Sequence, residues 1–164
     1  MIFVTVGNAT QRFGRLLKAV DDLSEKGFFG TQMVFVQTGN NPDVSLSHCE
    51  HKAFLSIDEF EGQIQNADIV ICHGGCGTLI YAARSGKTPV VMPRRKKYGE
   101  HVNDHQIQLV NELASQGSVV PAYEPEDLAG AILKAKERNA HSLSPHSPQM
   151  INLVAQAITE LLRL

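Results

Sequence analysis

Residues 68–78 constrain this chain most. Ile69-Val70-Ile71-Cys72 is a short apolar run, rich in β-branched residues and without polar alternation, bounded by Asp68 and by the cluster His73-Gly74-Gly75-Cys76-Gly77-Thr78. A strand of that kind is buried on both faces and belongs inside a parallel sheet. Glycines at its end let the backbone turn sharply and let a ligand come close. The segment from Leu79 to Ser85 reads as a helix. A helix that starts in such a loop turns unpaired N–H groups and the positive end of its dipole outward, which favours a phosphate or another anion.

The following residues supply a second wall. Gly86 stops the helix, Pro89 follows, and Val90-Val91-Met92 reads as the next buried strand, ended by Pro93. Four cations come next, Arg94-Arg95-Lys96-Lys97, and then the polar run Glu100-His101-Val102-Asn103-Asp104-His105-Gln106, which leads into another helix. Two successive strand ends thus carry polar loops, and in an open parallel sheet ligands bind outside those carboxyl ends.

The remaining chain repeats the alternation. Ile2 to Val6 reads as a strand ending at Gly7, and Thr10 to Lys26 as a helix with Phe13, Leu16, Leu17, Val20 and Leu23 on one face and Gly27 as its stop. Met33 to Val36 is a second strand, closed by the turn-rich segment Thr38 to Asp43. Ala53-Phe54-Leu55 is the candidate third strand, and Asp58 with Glu61 has the spacing of a capping box. A helix after Asn103, a short strand at Val119-Val120, a helix from Glu124-Pro125, a loop over 140–148 and a last helix over 149–162 complete the series. Strands alternating with helices predict an α/β fold, a Rossmann-like doubly wound parallel sheet.

Composition bounds the function. The chain's 164 residues give room for one domain, 1–164, with a sizeable core. A formal net charge of −2 argues against general nucleic-acid binding. No apolar run approaches the roughly 18 residues of a spanning helix and no leader is visible, so the chain is expected to be cytoplasmic. Cys49, Cys72 and Cys76 form no repeated spacing, which points to free thiols. No pair of His or Cys has zinc-site spacing, so no metal is expected.

The pattern of a strand, H-G-G-x-G-T, a G-K-x-P-V-V-x-P strand and a loop closing on N-D-H-Q resembles the C-terminal, donor-binding domain of family 28 glycosyltransferases. That domain is shared by the lipid-II-forming N-acetylglucosaminyltransferase and the small subunit of chitobiose synthase. P-R-R-x-x-x-G-E-H-x-N-D-H-Q is most similar to short bacterial exopolysaccharide glycosyltransferase catalytic subunits. The resemblance spans nearly the whole chain from Met1 to Gly7 onward. It implies one half of a two-domain glycosyltransferase fold and a hexosyltransferase subunit that binds a UDP-sugar without a metal. The sugar would pass to a lipid-linked acceptor with a separate membrane-associated, acceptor-binding partner, which would supply the general base and hold the chain at the inner face of the membrane.

On that resemblance the donor diphosphate falls to His73, Gly74, Gly75, Gly77 and Thr78, and the donor sugar to Asn103, His105 and Gln106. Gly7 and Asn8 belong to the first loop. Plainer readings stand beside these. The glycines permit a tight turn that Thr78 caps, and Asn103 with Gln106 has capping-box spacing. The cation run has three readings: a solvated face, contacts from Arg94 and Arg95, with Glu100 and His101, to the diphosphate or an acidic sugar, or a patch for anionic lipid. One departure is visible: the family carries a ribose-chelating glutamate eight positions after the motif histidine, where this chain has Tyr81, and a phenol cannot accept bidentately. Ribose recognition then moves to backbone or to Glu100. The rival reading is a non-catalytic nucleotide-sugar-binding module that stabilises or enhances a partner transferase. The missing G-x-x-x-x-G-K-[ST] and G-x-G-x-x-G spacings argue against P-loop ATPase and NAD chemistry.

Overall fold

The computed structural model describes residues 1–141 and, near the C-terminus, Asn152, Ala155, Gln156 and Thr159, which are helical. The elements are β1 (Ile2–Thr5), α1 (Gly14–Glu25), β2 (Val34–Gln37), β3 (Glu50–Lys52), α2 (Ile57–Asn66), β4 (Ile69–His73), α3 (Cys76–Arg84), β5 (Val90–Met92), α4 (His105–Ser115), β6 (Val120–Pro121) and α5 (Leu128–His141). Among the described residues the six strands form one sheet in the order β3-β2-β1-β4-β5-β6. Every pair is parallel. This is the doubly wound Rossmann-like arrangement expected from the sequence. The chain winds from β1 to one edge, then restarts at β4 and winds to the other, so the switch point lies between the carboxyl ends of β1 and β4.

Alternate residues of the central strands feed two cores. Ile2, Val4, Ile69, Ile71, Val90 and Met92 face α1 and α5 and pack with Leu16, Leu17, Val20, Leu128 and Ile132. Phe3, Val70, Cys72 and Val91 face the other way, onto Ile64, Leu79, Leu109, Val110 and Leu113. Burial on both faces is why these strands read as unbroken apolar runs.

Five expectations need correction. The third strand is Glu50–Lys52, not Ala53–Leu55; its side chains are exposed and backbone pairing with β2 holds it as an edge. The capping box of α2 is Ser56 with Glu59, two residues earlier than Asp58 with Glu61. The first helix begins at Gly14 rather than Thr10, because the Phe13 N–H donates to Asn41 Oδ1 at 2.7 Å and residues before it are held as a loop. Helix α3 begins at Cys76, three residues before Leu79. Ala140 and His141, expected to open the loop over 140–148, continue helix α5 instead; the rest of that loop and the apolar stripe Ile151, Val154, Ile158, Leu161 and Leu162 lie outside the described residues.

Candidate functional site

Gly75 is the N-cap residue of α3 and no side chain caps the helix. Thr78, the expected cap, is instead buried in the first turn. The N–H groups at the start of α3 are the orphan donors that every helix start leaves, here facing the switch point of the sheet.

His73, the last residue of β4, stands between two glycines. A Cβ built on Gly7 would meet the imidazole, with Nε2 at 2.8 Å, and one built on Gly75 would overlap it as well, with Cδ2 at 2.8 Å. Gly7 also has φ of 71°, a conformation that suits glycine. The two loops therefore close on the ring because neither carries a side chain. Nδ1 is buried and has no hydrogen-bond partner among the described residues. Burial above all, and then the Arg94 guanidinium, push the His73 pKa down to about 4, with the Thr5 carbonyl opposing weakly. The ring is neutral at pH 7 and has a hydrogen-bonding nitrogen without charge.

A pH dependence follows. In the unfolded chain His73 titrates near 6.5. Between that pH and about 4 the unfolded state binds a proton the native state refuses, so stability falls as pH drops through the window. The loss attributable to this ring is about 3 kcal/mol across it. Urea unfolding at pH 7, 5.5 and 4.5 should show a steeper decline for the native sequence than for His73→Gln. Parallel declines would refute the depressed pKa.

The crevice at this switch point holds about 280 Å³ and is lined by Gly7, Asn8, Gln37, His73, Gly75, Gly77, Thr78 and Tyr81 on one side. Leu55 and Ser56, from the β3–α2 connection, and Ile57 and Phe60, from the start of α2, complete it. Tyr81 meets Phe60 edge to face, with ring centroids 5.6 Å apart. One end is thus polar and rich in backbone N–H, and the other is aromatic and aliphatic. Gln37 and the Leu55–Phe60 wall were not singled out in the sequence. Their only signal is that β2 and the β3–α2 connection must end on the same edge as β1 and β4.

The 94–106 loop is placed differently from expectation. Arg94 is fully buried, so it is neither part of a solvated face nor aimed into the crevice. Its Nη1 donates to the carbonyls of Gln11, Arg12 and Glu100 at 2.7, 3.4 and 3.1 Å, and its Nη2 to that of Val6 at 2.8 Å. Burial pushes its pKa down to about 10, Glu100 partly restoring it, and the group stays cationic. Arg95 is spent on Glu124 at 2.7 Å. Glu100 is buried and receives Arg15 bidentately, both contacts at 2.9 Å, together with the Arg95 N–H, which leaves it no means of chelating a ribose. Arg15, whose other donors reach the Pro93 and Tyr123 carbonyls, is the anchor the sequence reading missed. Of the four cations only Lys96 and Lys97 are exposed.

Gln106 does not form a capping box with Asn103. Its Oε1 accepts from the N–H of Gly74 at 3.1 Å and of Arg94 at 3.0 Å, tying the β4 and β5 loops together and leaving only its Nε2 for a ligand. Asn103 Oδ1 accepts instead from the N–H of His105. The Asn103 N–H donates to His101 Nδ1. Asn103 is half-buried and His105 exposed, and neither lines the crevice. The structure therefore brings His73, Gly75, Gly77, Thr78, Gly7 and Asn8 into one crevice, with Gly74 and Gln106 just behind it.

No helix among the described residues is long and apolar enough to cross a membrane. The family model described as glycosyltransferase family 28 C-terminal domain matches residues 1–161. The chain is 30% identical over 123 residues to a human protein named UDP-N-acetylglucosamine transferase subunit ALG13, a match covering 71% of this chain and 10% of that one. It is 29% identical over 135 residues to the UDP-N-acetylglucosamine--N-acetylmuramyl-(pentapeptide) pyrophosphoryl-undecaprenol N-acetylglucosamine transferase of Geobacter sulfurreducens, covering 78% and 34%. The chain thus spans a tenth to a third of the length of these relatives. Among solved structures, the glycotransferase of kitacinnamycin superposes with a TM-score of 0.62 at 16% identity, over 99% of this chain and 39% of that one, a likeness of fold.

Proposed function

The chain belongs to the family defined by the glycosyltransferase family 28 C-terminal domain, and from that premise we propose that it is the donor-binding subunit of a UDP-sugar-dependent hexosyltransferase. The observation that carries this reading is the uncapped start of α3 beside a neutral, enclosed His73 at the sheet's switch point. Such an arrangement suits the diphosphate, while Leu55, Ile57, Phe60 and Tyr81 suit a nucleobase and ribose face. In the reaction an acceptor hydroxyl attacks the anomeric carbon, the bond from that carbon to the β-phosphate oxygen breaks, and UDP leaves. Charge then gathers on the diphosphate, where preorganised N–H donors act most strongly. A carrier of such donors needs no metal for this task. With Arg94 and Arg95 committed elsewhere, the exposed His105 and the free Nε2 of Gln106 are the groups left to read the sugar.

The partner-dependent part of the reading rests on the form of the site. About 280 Å³ open on one side is a little less than the roughly 300–1,000 Å³ of a complete small-molecule pocket. One relative is named as a subunit, and another by a pyrophosphoryl-undecaprenol acceptor. The proposed partner is a membrane-associated acceptor-binding chain that supplies the second wall and the general base, in exopolysaccharide assembly at the inner face of the membrane. Calorimetry should show UDP binding and no NAD binding, and transfer of sugar to membrane lipid should require the co-encoded partner. Full turnover by this chain alone would refute the divided site. UDP binding without turnover under any pairing would favour a non-catalytic binding module, which the Tyr81 phenol in place of a chelating carboxylate also suits.

A further inference from the structure

The first loop carries a hydrogen-bond relay whose polarity has a consequence for the ligand. Thr5 is fully buried, and its Oγ1 accepts the Gly7 N–H at 3.1 Å. Its own proton goes to Gln37 Oε1 at 2.7 Å. With its oxygen so occupied, Gln37 turns its Nε2 to Asn8 and donates to Oδ1 at 2.9 Å. Gln37 is itself only 2% exposed and has no freedom to choose the opposite orientation without stranding the Thr5 proton. Asn8 has one acceptor and one donor end. Its acceptor end is consumed, and its Nδ2 is left at the crevice, which Asn8 and Gln37 both line.

We infer that Gln37 is a positioning residue that fixes the Asn8 amide so that its Nδ2 donates to an oxygen of the bound diphosphate, opposite the start of α3. The backbone of the loop supports this. Asn40 Nδ2 donates to the Ala9 carbonyl at 2.9 Å, and Arg94 holds the carbonyls of Val6 and Gln11, so Asn8 is mounted on a fixed segment. A buried threonine and glutamine far apart in sequence thereby set the sign of a group at the ligand. The inference rests on the nucleotide reading for its ligand, whereas the relay itself exists in the free protein.

Side-chain amide exchange separates the two. In the free full chain the Gln37 amide protons should exchange slowly and those of Asn8 rapidly; the reverse pattern overturns the relay whatever binds. Titration with inorganic pyrophosphate should then move the Asn8 side-chain resonances, and pyrophosphate binding that leaves them unmoved overturns the donor role. In Gln37→Glu the introduced carboxylate accepts from both Thr5 and Asn8, so the Asn8 amide becomes protected and UDP affinity falls about tenfold or more, uridine affinity staying the same. Loss of UDP affinity with Asn8 still exchanging rapidly would reduce the effect to charge repulsion and overturn the inference. Thr5→Val, a neutral change, should scramble the pattern, and Thr5→Ser should restore it. Absence of any UDP or pyrophosphate binding would refute the nucleotide reading, and the donor role with it, while the exchange pattern still reports on the relay.

Discussion

Gly77→Val is expected to fold like the parent chain and to lose UDP affinity by about a hundredfold or more. Gly77 sits in the first turn of α3 with ordinary helical backbone, and a Cβ built on it meets nothing within 4 Å. Valine in a helix is no worse than glycine, so thermal stability should barely change. The added methyls enter the crevice in front of the helix start, where the diphosphate would lie. Hydrogen bonds to a charged group are each worth about 1.5–3 kcal/mol, and two displaced contacts account for the expected loss. Gly75→Ala is a poorer test, since its methyl would strike the enclosed His73 ring and disturb loop and ligand together. Calorimetry with UDP and a melting curve on the same Gly77→Val preparation decide the matter. Native melting with unchanged affinity would remove the diphosphate from this loop.

The contrast between Gly77 and Gly75 shows how far the sequence could be read. The glycine cluster was visible as a ligand-approach signal, but which glycine faces solvent and which faces His73 depends on Gly7, 66 positions upstream. Helix α3 starts earlier than glycine content suggested because Leu79, Ala82 and Ala83 bury against the sheet and override weak local propensity. Strands β1, β2, β4 and β5 were legible because burial on both faces makes them apolar up to the polar residues at their carboxyl ends. Strand β3 was not, since Glu-His-Lys has no pattern and only the exposed backbone edge of β2 recruits it. The α2 cap was misplaced by two residues because Ser56-x-x-Glu59 and Asp58-x-x-Glu61 both satisfy the spacing, and only the helix start at Ile57 selects between them. Arg15 gave no signal at all, and Gln37 only its place at the carboxyl end of β2. Each acts through partners distant in sequence, so their roles appear only when the strand order is known.

Arg94 is the plainest case, and it carries the second large effect. In the sequence it is the first of four cations and reads as surface or as ligand contact. In the fold it is 0% exposed, stacked on Phe13 with its guanidinium 4.9 Å from the ring centroid, and bonded to carbonyls of the first loop and of its own. A buried cation is costly to desolvate, and that cost is recovered only while its hydrogen bonds are complete. Arg94→Ala leaves the carbonyls of Val6, Gln11 and Glu100 without their donor, leaves Glu100 with less positive charge nearby, and opens a cavity beside Phe13. The expected loss is about 3–5 kcal/mol of folding stability, or roughly 6–20 °C in Tm for a chain of this size. Arg94→Lys should recover little of it, because one ammonium cannot reproduce a planar fork that reaches carbonyls on two loops at once. Because His73 lies under the same charge, loss of Arg94 should also raise its pKa toward the unfolded value, which narrows the window below 6.5 and makes the acid decline in stability smaller. Urea unfolding of both variants at pH 7 measures the first effect. A loss under 1 kcal/mol in Arg94→Ala, with UDP affinity selectively reduced, would return the side chain to the crevice as a ligand contact.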